Sequence, residues 1–387
     1  MLVELTNDPR PYSWGDSYSI ASWQSQSRPS APEAELWFGT HSGSPARVKN
    51  PHESTEEELA SFLVGQGKPA QLPFLVKVLA AAKPLSIQVH PTISQAQQGY
   101  ELENLKGISL EDPRRNYKDA SDKPEVMIAW SESFDALVGF QQEHEMHKTL
   151  STIDAAVGDA NLTKPLYSAL EGGPEALIGW LVHSEEHSIA LARAITDSVN
   201  SSMSKHADGT VWRVWKGVVP HFPGDPGIVV ASFLNLVTLA RGEALFVPAG
   251  IVHAYLGGFG LEVMAPSDNV VRGGLTDKHL DRAELASLVL RAPYAPGNLR
   301  AELVSGVEVF QPPGVPFRIL RASPGEGTVA FTAQEPMVIV VEKGAATFSW
   351  DRGAGNLRAG HAYLFIPEPG SQVQLAGDAS VYFVSGP

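Results

Sequence analysis

The segment Gly242-Glu243-Ala244-Leu245-Phe246-Val247-Pro248-Ala249-Gly250-Ile251-Val252-His253 constrains this chain more than any other. A short apolar run reads as a buried strand. Pro248 ends it, Gly250 permits a turn, and His253 opens the next strand. Proline cannot donate into a strand ladder and glycine accepts turn conformations, so the imidazole is delivered to a reproducible point inside a small β-barrel. One histidine does not hold a metal, and the rest of the set has to come from elsewhere in the chain.

Partners lie far upstream. In Lys83-Pro84-Leu85-Ser86-Ile87-Gln88-Val89-His90-Pro91 the side chains alternate between faces, so Gln88 and His90 share one while Ile87 and Val89 pack the other way. Ser86 falls on the same face as Gln88 and His90, where its hydroxyl meets a substrate or its own backbone. The run Lys123-Pro124-Glu125-Val126-Met127-Ile128-Ala129 starts another strand, with Lys123 and Glu125 on one face. Gln88, His90, Glu125 and His253 together form an N2O2 donor set suited to zinc, manganese or iron. Lys77 interrupts the apolar strand Phe74–Leu79, where a lysine is costly to bury alone. It either snorkels to solvent or meets an anion. Arg272 precedes Gly273-Gly274, a setting for a structural salt bridge or for a guanidinium with room beside it for substrate. His41, His279 and His361 are not expected to be ligands, and Trp14, Trp37 and Trp130 read as core.

The 387 residues suffice for two or three packed units. A formal net charge of −14 argues against a nucleic-acid partner, which needs a broad basic face. The chain has no cysteine, which excludes disulfides and Cys-ligated zinc and suits a reducing compartment. The first residues carry no basic start or apolar core of a secretory signal, so a cytoplasmic location is expected. The longest apolar run, Gly227 to Ala240, is too short for a membrane span and reads as a buried strand pair.

The pattern along the chain divides it. Residues 1–140 alternate short apolar runs with Gly and Pro, as strands and turns do. Residues 141–215 have helical spacing, with Pro174 placed for a first turn. Strand texture returns over 216–295, ending in a helix at Asp281–Val289. Over 296–387, Gly360-His361-Ala362-Tyr363-Leu364-Phe365-Ile366-Pro367-Glu368-Pro369-Gly370 echoes the stretch from Gly242 to Gly250, with no histidine after it. The expected fold class is mainly β: two cupin-type jelly-roll barrels with an inserted α-helical domain, the second barrel a degenerate one without a metal site.

That expectation draws on a resemblance. The spacing G-x5-P-x-G-x2-H is similar to the second metal motif of the cupin superfamily. The chain as a whole resembles type I mannose-6-phosphate isomerases, also called phosphomannose isomerases. The matching segments are Tyr12–Gly15, Ala34–Gly39, Leu72–Leu79, Lys83–Pro91, Asn116–Glu125 and Pro248–Thr276, the last containing Glu262-Val263-Met264-Ala265-Pro266-Ser267-Asp268-Asn269-Val270-Val271-Arg272. They follow the family's order through about three-quarters of the chain. The resemblance implies one Zn2+ per chain on Gln88, His90, Glu125 and His253, and conversion of a small sugar phosphate through a cis-enediol. It assigns Arg272 to the enediolate, Lys123 to proton transfer in ring opening, and Glu262, Lys123 or a metal-activated water to the C2 proton. Lys77, Ser86 and Glu35 are its substrate contacts, Lys77 on a phosphate oxygen. A monomer with no nucleic-acid or membrane partner is expected. Two other functions share the fold, a noncatalytic sugar-binding cupin and a metal-dependent oxygenase. Gln88 stands where an oxygenase would carry a histidine, and Lys123 and Arg272 beside the ligands speak for catalysis.

Overall fold

A computed structural model describes residues 1–49, 55–201 and 207–387. Its site is built on the twelve-residue strand His253–Met264, which we call the histidine strand. The back half pairs antiparallel with the lysine strand Leu75–Ala81 on one side and with the glutamate strand Glu125–Ala129 on the other. The front half changes partners, to Ser133–Phe140 and to the short strand Ile87–Val89. Gly257-Gly258 makes the corner. The register shifts there, Gly258 has φ +135°, and a Cβ on it would lie 2.5 Å from the Phe134 ring. Such a bulged bend lets one strand serve two sheets and closes the barrel. Val271–Gly274 lies along the other edge of Ile87–Val89.

Ser133–Phe140 and Leu234–Ala240 are hydrogen-bonded neighbours, and among the described residues six helices are inserted between them, from Glu143–Val157 to Gly227–Ser232. Ile87, Val89, Leu137, Val252 and Val271 belong to the same buried cluster as those helices. The alternation read for Ile87–His90 therefore has a physical cause: one face of the strand seals against the insert and the other faces the barrel. Pro174 occupies the first turn of Pro174–His183, and Asp281 caps Arg282–Leu288 through the amide of Glu284.

Two boundaries differ from the sequence expectation. Helical structure continues past 215, and Gly227–Ala240 is a helix, Gly227–Ser232, followed by the strand Leu234–Ala240 rather than a strand pair. Every residue of that helix is buried, so it has no polar face and its period cannot be read. Nor do the first residues all serve the site barrel. Leu2–Thr6 pairs with Ala362–Phe365 and with Arg47–Lys49, as part of the C-terminal sheet. The sequence echo does correspond to like backbone: Ala244–Val247 and Ala362–Phe365 are four-residue strands, each preceded by a glycine near φ +82°, Gly242 at +83° and Gly360 at +81°. The two barrels share a core, in which Leu36, Val76, Val126 and Leu261 pack with Ile319, Val338, Leu364 and Val384. No helix among the described residues is long and apolar enough to cross a membrane.

Candidate metal centre

His253 lies opposite Gln88 in the strand register, and Gln88 lies opposite Arg272. Directly opposed residues in an antiparallel pair project to the same face, so these three side chains share one. His90 follows Gln88 on that face, and Thr92 ends the segment with a capping box on Gln95. Glu125 opens the glutamate strand opposite Met264. His90, Glu125 and His253 are each buried, with donor atoms within 4.8 Å of one another.

The imidazoles are set for ligation. His90 Nδ1–H donates to the Asn269 carbonyl at 2.7 Å and His253 Nδ1–H to the Ile251 carbonyl at 3.0 Å. Each ring therefore turns an Nε2 lone pair inward, and both Nε2 atoms are buried without a hydrogen-bond partner. Burial, reinforced by Lys123, pushes the His90 pKa down to about 4, so the ring is neutral at ordinary pH. Its 3.3 Å approach to Glu125 Oε1 is thus no salt bridge. His253 Nε2 is 3.3 Å from Glu125 Oε2. A tetrahedron with arms of about 2.0–2.1 Å has edges of about 3.3–3.4 Å, so these separations fit zinc, as does the donor chemistry. Gln88 is half-buried and placed by register to complete the set.

Charged side chains converge beside it. Lys123 Nζ is 2.9 Å from Glu125 Oε1. Burial alone would raise the Glu125 carboxyl, but the Lys123 ammonium beside it holds it well below its ordinary value. Tyr255 donates its hydroxyl to Glu125 Oε2 at 3.3 Å. Across the lysine and histidine strands, Lys77 lies opposite Glu262, with Nζ 2.9 Å from Oε2. Burial raises the Glu262 carboxyl, Lys77 counteracts this and Glu125 reinforces it, leaving it above its ordinary value. Glu35 Oε1 is 3.7 Å from Lys77 Nζ, and its Oε2 accepts the Trp37 indole N–H at 2.8 Å. Lys77 is therefore sealed between two carboxylates with its ammonium 4.9 Å from the Trp37 ring centre, an environment already supplied with negative charge.

Arg272 is half-buried and makes no ion pair or side-chain hydrogen bond among the described residues, which removes the structural salt bridge as its reason. Lys278 is an exposed residue, yet partial desolvation of its ammonium and then Arg272 depress its pKa. Ser86 is half-buried and likewise forms no side-chain hydrogen bond among the described residues. Of the other histidines, His41 meets Asp268 and His361 meets Glu4. Sequence reasoning missed Tyr255, Lys278 and Asn269. Tyr255 stands two residues after His253 and alternation alone would have found it. Lys278 follows an irregular turn with no periodic signal.

Comparison with known proteins gives this geometry a context. A model of the phosphomannose isomerase type I catalytic domain matches residues 2–143. The chain is 34% identical over 336 residues to the mannose-6-phosphate isomerase of Salmonella typhimurium, covering 80% of this chain and 81% of that one. The mannose-6-phosphate isomerase of Escherichia coli is 32% identical over 408 residues, 100% of this chain and 97% of the relative. Among solved structures, a zinc-bound mannose 6-phosphate isomerase superimposes with a TM-score of 0.86 at 27% identity, over 100% of this chain and 99% of that chain. The Salmonella typhimurium enzyme bound to fructose 6-phosphate and zinc superimposes with a TM-score of 0.85 at 27% identity over the same shares.

Proposed function

The chain belongs to the type I mannose-6-phosphate isomerase family, and on that premise we propose how its residues divide the work. It is a zinc-dependent aldose–ketose isomerase that interconverts mannose 6-phosphate and fructose 6-phosphate through a cis-enediol. This takes precedence over the sugar-binding and oxygenase alternatives. Gln88, His90, Glu125 and His253 would hold the zinc. Bound there, zinc supplies Lewis acidity toward the oxygens on C1 and C2.

Glu262 is our candidate for the proton acceptor at C2. Its affinity for a proton is raised, as a base working near neutral pH requires, whereas that of Glu125 is lowered. It removes the C2 proton, the C–H electrons become the C1=C2 double bond, and the carbonyl electrons move to O1. O1 takes up a proton to give the enediol. O2 then gives up its own proton, making that exchange neutral overall, as C2=O forms and the proton held by Glu262 returns to C1, which gives the ketose. Lys77 keeps a positive charge against Glu262, and Glu35 with Trp37 orients Lys77. Lys123, tied to Glu125, serves ring opening. Arg272 faces the developing enediolate charge, as an always-charged, multi-donor group can. Lys278 beside it takes the phosphate, with Ser86 on a substrate hydroxyl. Lys77 is thereby reassigned from phosphate to Glu262, because two carboxylates already surround it. The ligand and acid/base groups all come from one chain, which supports a monomer as the working unit. The lack of cysteine supports a cytoplasmic setting.

The observation that carries the reading is the pair of buried, partnerless imidazole nitrogens facing Glu125, close to a buried Lys77–Glu262 pair. The test is a coupled assay of mannose 6-phosphate conversion before and after chelation, with metal analysis of the same sample. Activity should vanish with the metal and return with zinc. Full turnover in a verified metal-free preparation would sink the metal assignment.

A further inference from the structure

One buried side chain joins two parts of the centre that are distant in sequence. Asn269 is 0% exposed. Its carbonyl accepts His90 Nδ1–H at 2.7 Å. Its side chain grips the segment leading to Lys123 and Glu125. Nδ2 donates to the Asp119 carbonyl at 2.9 Å, to Asp119 Oδ1 at 3.1 Å and to the Ser121 carbonyl at 2.8 Å. Oδ1 accepts the amides of Lys118 at 2.7 Å and Asp119 at 3.2 Å. Ser267 closes the clasp: its hydroxyl accepts the Asn269 amide at 3.2 Å and lies 2.9 Å from Asp119 Oδ1.

A loop held by one hydroxyl would leave its position free to vary. Here the Asn269 amide group bonds three carbonyl or carboxylate oxygens and two backbone amides of the Lys118–Ser121 segment, while its own backbone fixes the tautomer of His90. Moving Asn269 moves both. We infer that Asn269 is a positioning residue that sets the separation between the His90 imidazole and the Glu125 carboxylate with its Lys123 partner, and so tunes the affinity and geometry of the metal. The inference rests on the metal reading of those residues.

Asn269→Asp is the sharpest test. It keeps shape, backbone carbonyl and the acceptor for the two amides. It removes both N–H donors and sets a carboxylate against Asp119. Groups that orient ligands typically contribute ~10–100-fold in metal affinity, and zinc affinity measured by chelator competition should fall within that range. The visible absorption bands of the cobalt(II)-loaded protein should shift, while far-ultraviolet circular dichroism of the metal-free protein stays as in the parent. Ser267→Ala, which removes one hydroxyl of the clasp, should move the same two readouts less far. It decides the matter alone if Asn269→Asp does not fold. Unchanged zinc affinity together with an unchanged cobalt spectrum would overturn the proposal, even if melting temperature drops, since the clasp would then be structural. If the parent itself fails to bind zinc stoichiometrically, the metal reading falls, and this inference with it.

Discussion

A lysine inside a strand whose residues are all buried has to be matched by negative charge, and Lys77 is matched twice. Burial alone would depress its pKa; Glu262, Glu35 and Glu125 more than offset that and hold the ammonium above its ordinary value. From the sequence, the anion could equally have been a substrate phosphate. What decides it is cross-strand register, which places Glu262 opposite Lys77 and Trp37 on its other side. Lys77→Met should therefore lower kcat/KM for mannose 6-phosphate and for an unphosphorylated analogue by similar factors. Because Lys77 pulls the Glu262 carboxyl down, its loss should raise that carboxyl further. The acid limb of the kcat/KM profile then moves to higher pH, the sign expected when Glu262 must be ionised to act. A loss confined to the phosphorylated substrate, at the ~1.5–3 kcal/mol of a charge-assisted hydrogen bond, would return Lys77 to the phosphate. The shared face of the proposed ligands Gln88 and His90 was readable from two-residue alternation, because Gln88 lies in the strand Ile87–Val89 and His90 directly follows it. Asn269 was not, since its partners lie in irregular loop segments and most are backbone atoms, which no side-chain pattern announces.

At the scale of elements, the strand Val271–Gly274 and the turn after it carry Arg272 and Lys278, two cations that form no ion pair among the described residues. The turn is held in place from the helical insert. Asp225 Oδ1 accepts the Leu275 amide at 3.0 Å and Oδ2 the Thr276 amide at 3.3 Å. Gly274 has φ +135°, and a Cβ there would lie 2.5 Å from Gly227 Cα. Leu275 is buried at φ +55°, a conformation that costs a non-glycine residue of order 1–3 kcal/mol and persists where surroundings impose it. Gly274 thus serves close packing against Gly227, while a Cβ on Gly273 would press on Ile87 at 3.1 Å. That was beyond sequence reasoning, which placed Gly227 in a strand. The backbone that carries Arg272 is thereby fixed in place. Arg272→Ala should depress kcat and kcat/KM alike, by the ~10²–10³ typical of one preorganised oxyanion donor. Zinc content should remain that of the parent. A rise in KM alone would mark Arg272 as a substrate clamp, and loss of zinc would mark it as part of the ligand scaffold.

For the whole molecule, the question is whether the C-terminal barrel, which shows no metal set among the described residues, is separable from the one that holds the candidate set. Sequence texture suggested a boundary near 296, and the echo between Gly242–Gly250 and Gly360–Gly370 suggested a second unit of similar build. Packing ties the two together. Val76, Val126, Leu261 and Val263 from the site barrel are buried in one cluster with Ile319, Val338, Val340, Tyr382 and Val384. The Trp23 indole donates to the Val341 carbonyl at 2.9 Å, and Trp130 stacks near Tyr382. The chain's first strand, Leu2–Thr6, hydrogen-bonds to Ala362–Phe365. Removing residues 296–387 would therefore bare apolar surface at roughly 25 cal/mol per Å² and leave Leu2–Thr6 without one of its two strand partners. A fragment ending at residue 295 should be insoluble or lack a cooperative thermal transition, with no zinc-dependent rise in melting temperature. The full chain should unfold in one transition that moves up with zinc, because a ligand that binds only the folded state stabilises it by mass action. Calorimetry of both proteins with and without zinc measures this. A soluble fragment with parental zinc affinity, or two separate transitions in the full chain of which only one responds to zinc, would show that the site barrel stands alone and that the shared core is an interface between independent domains.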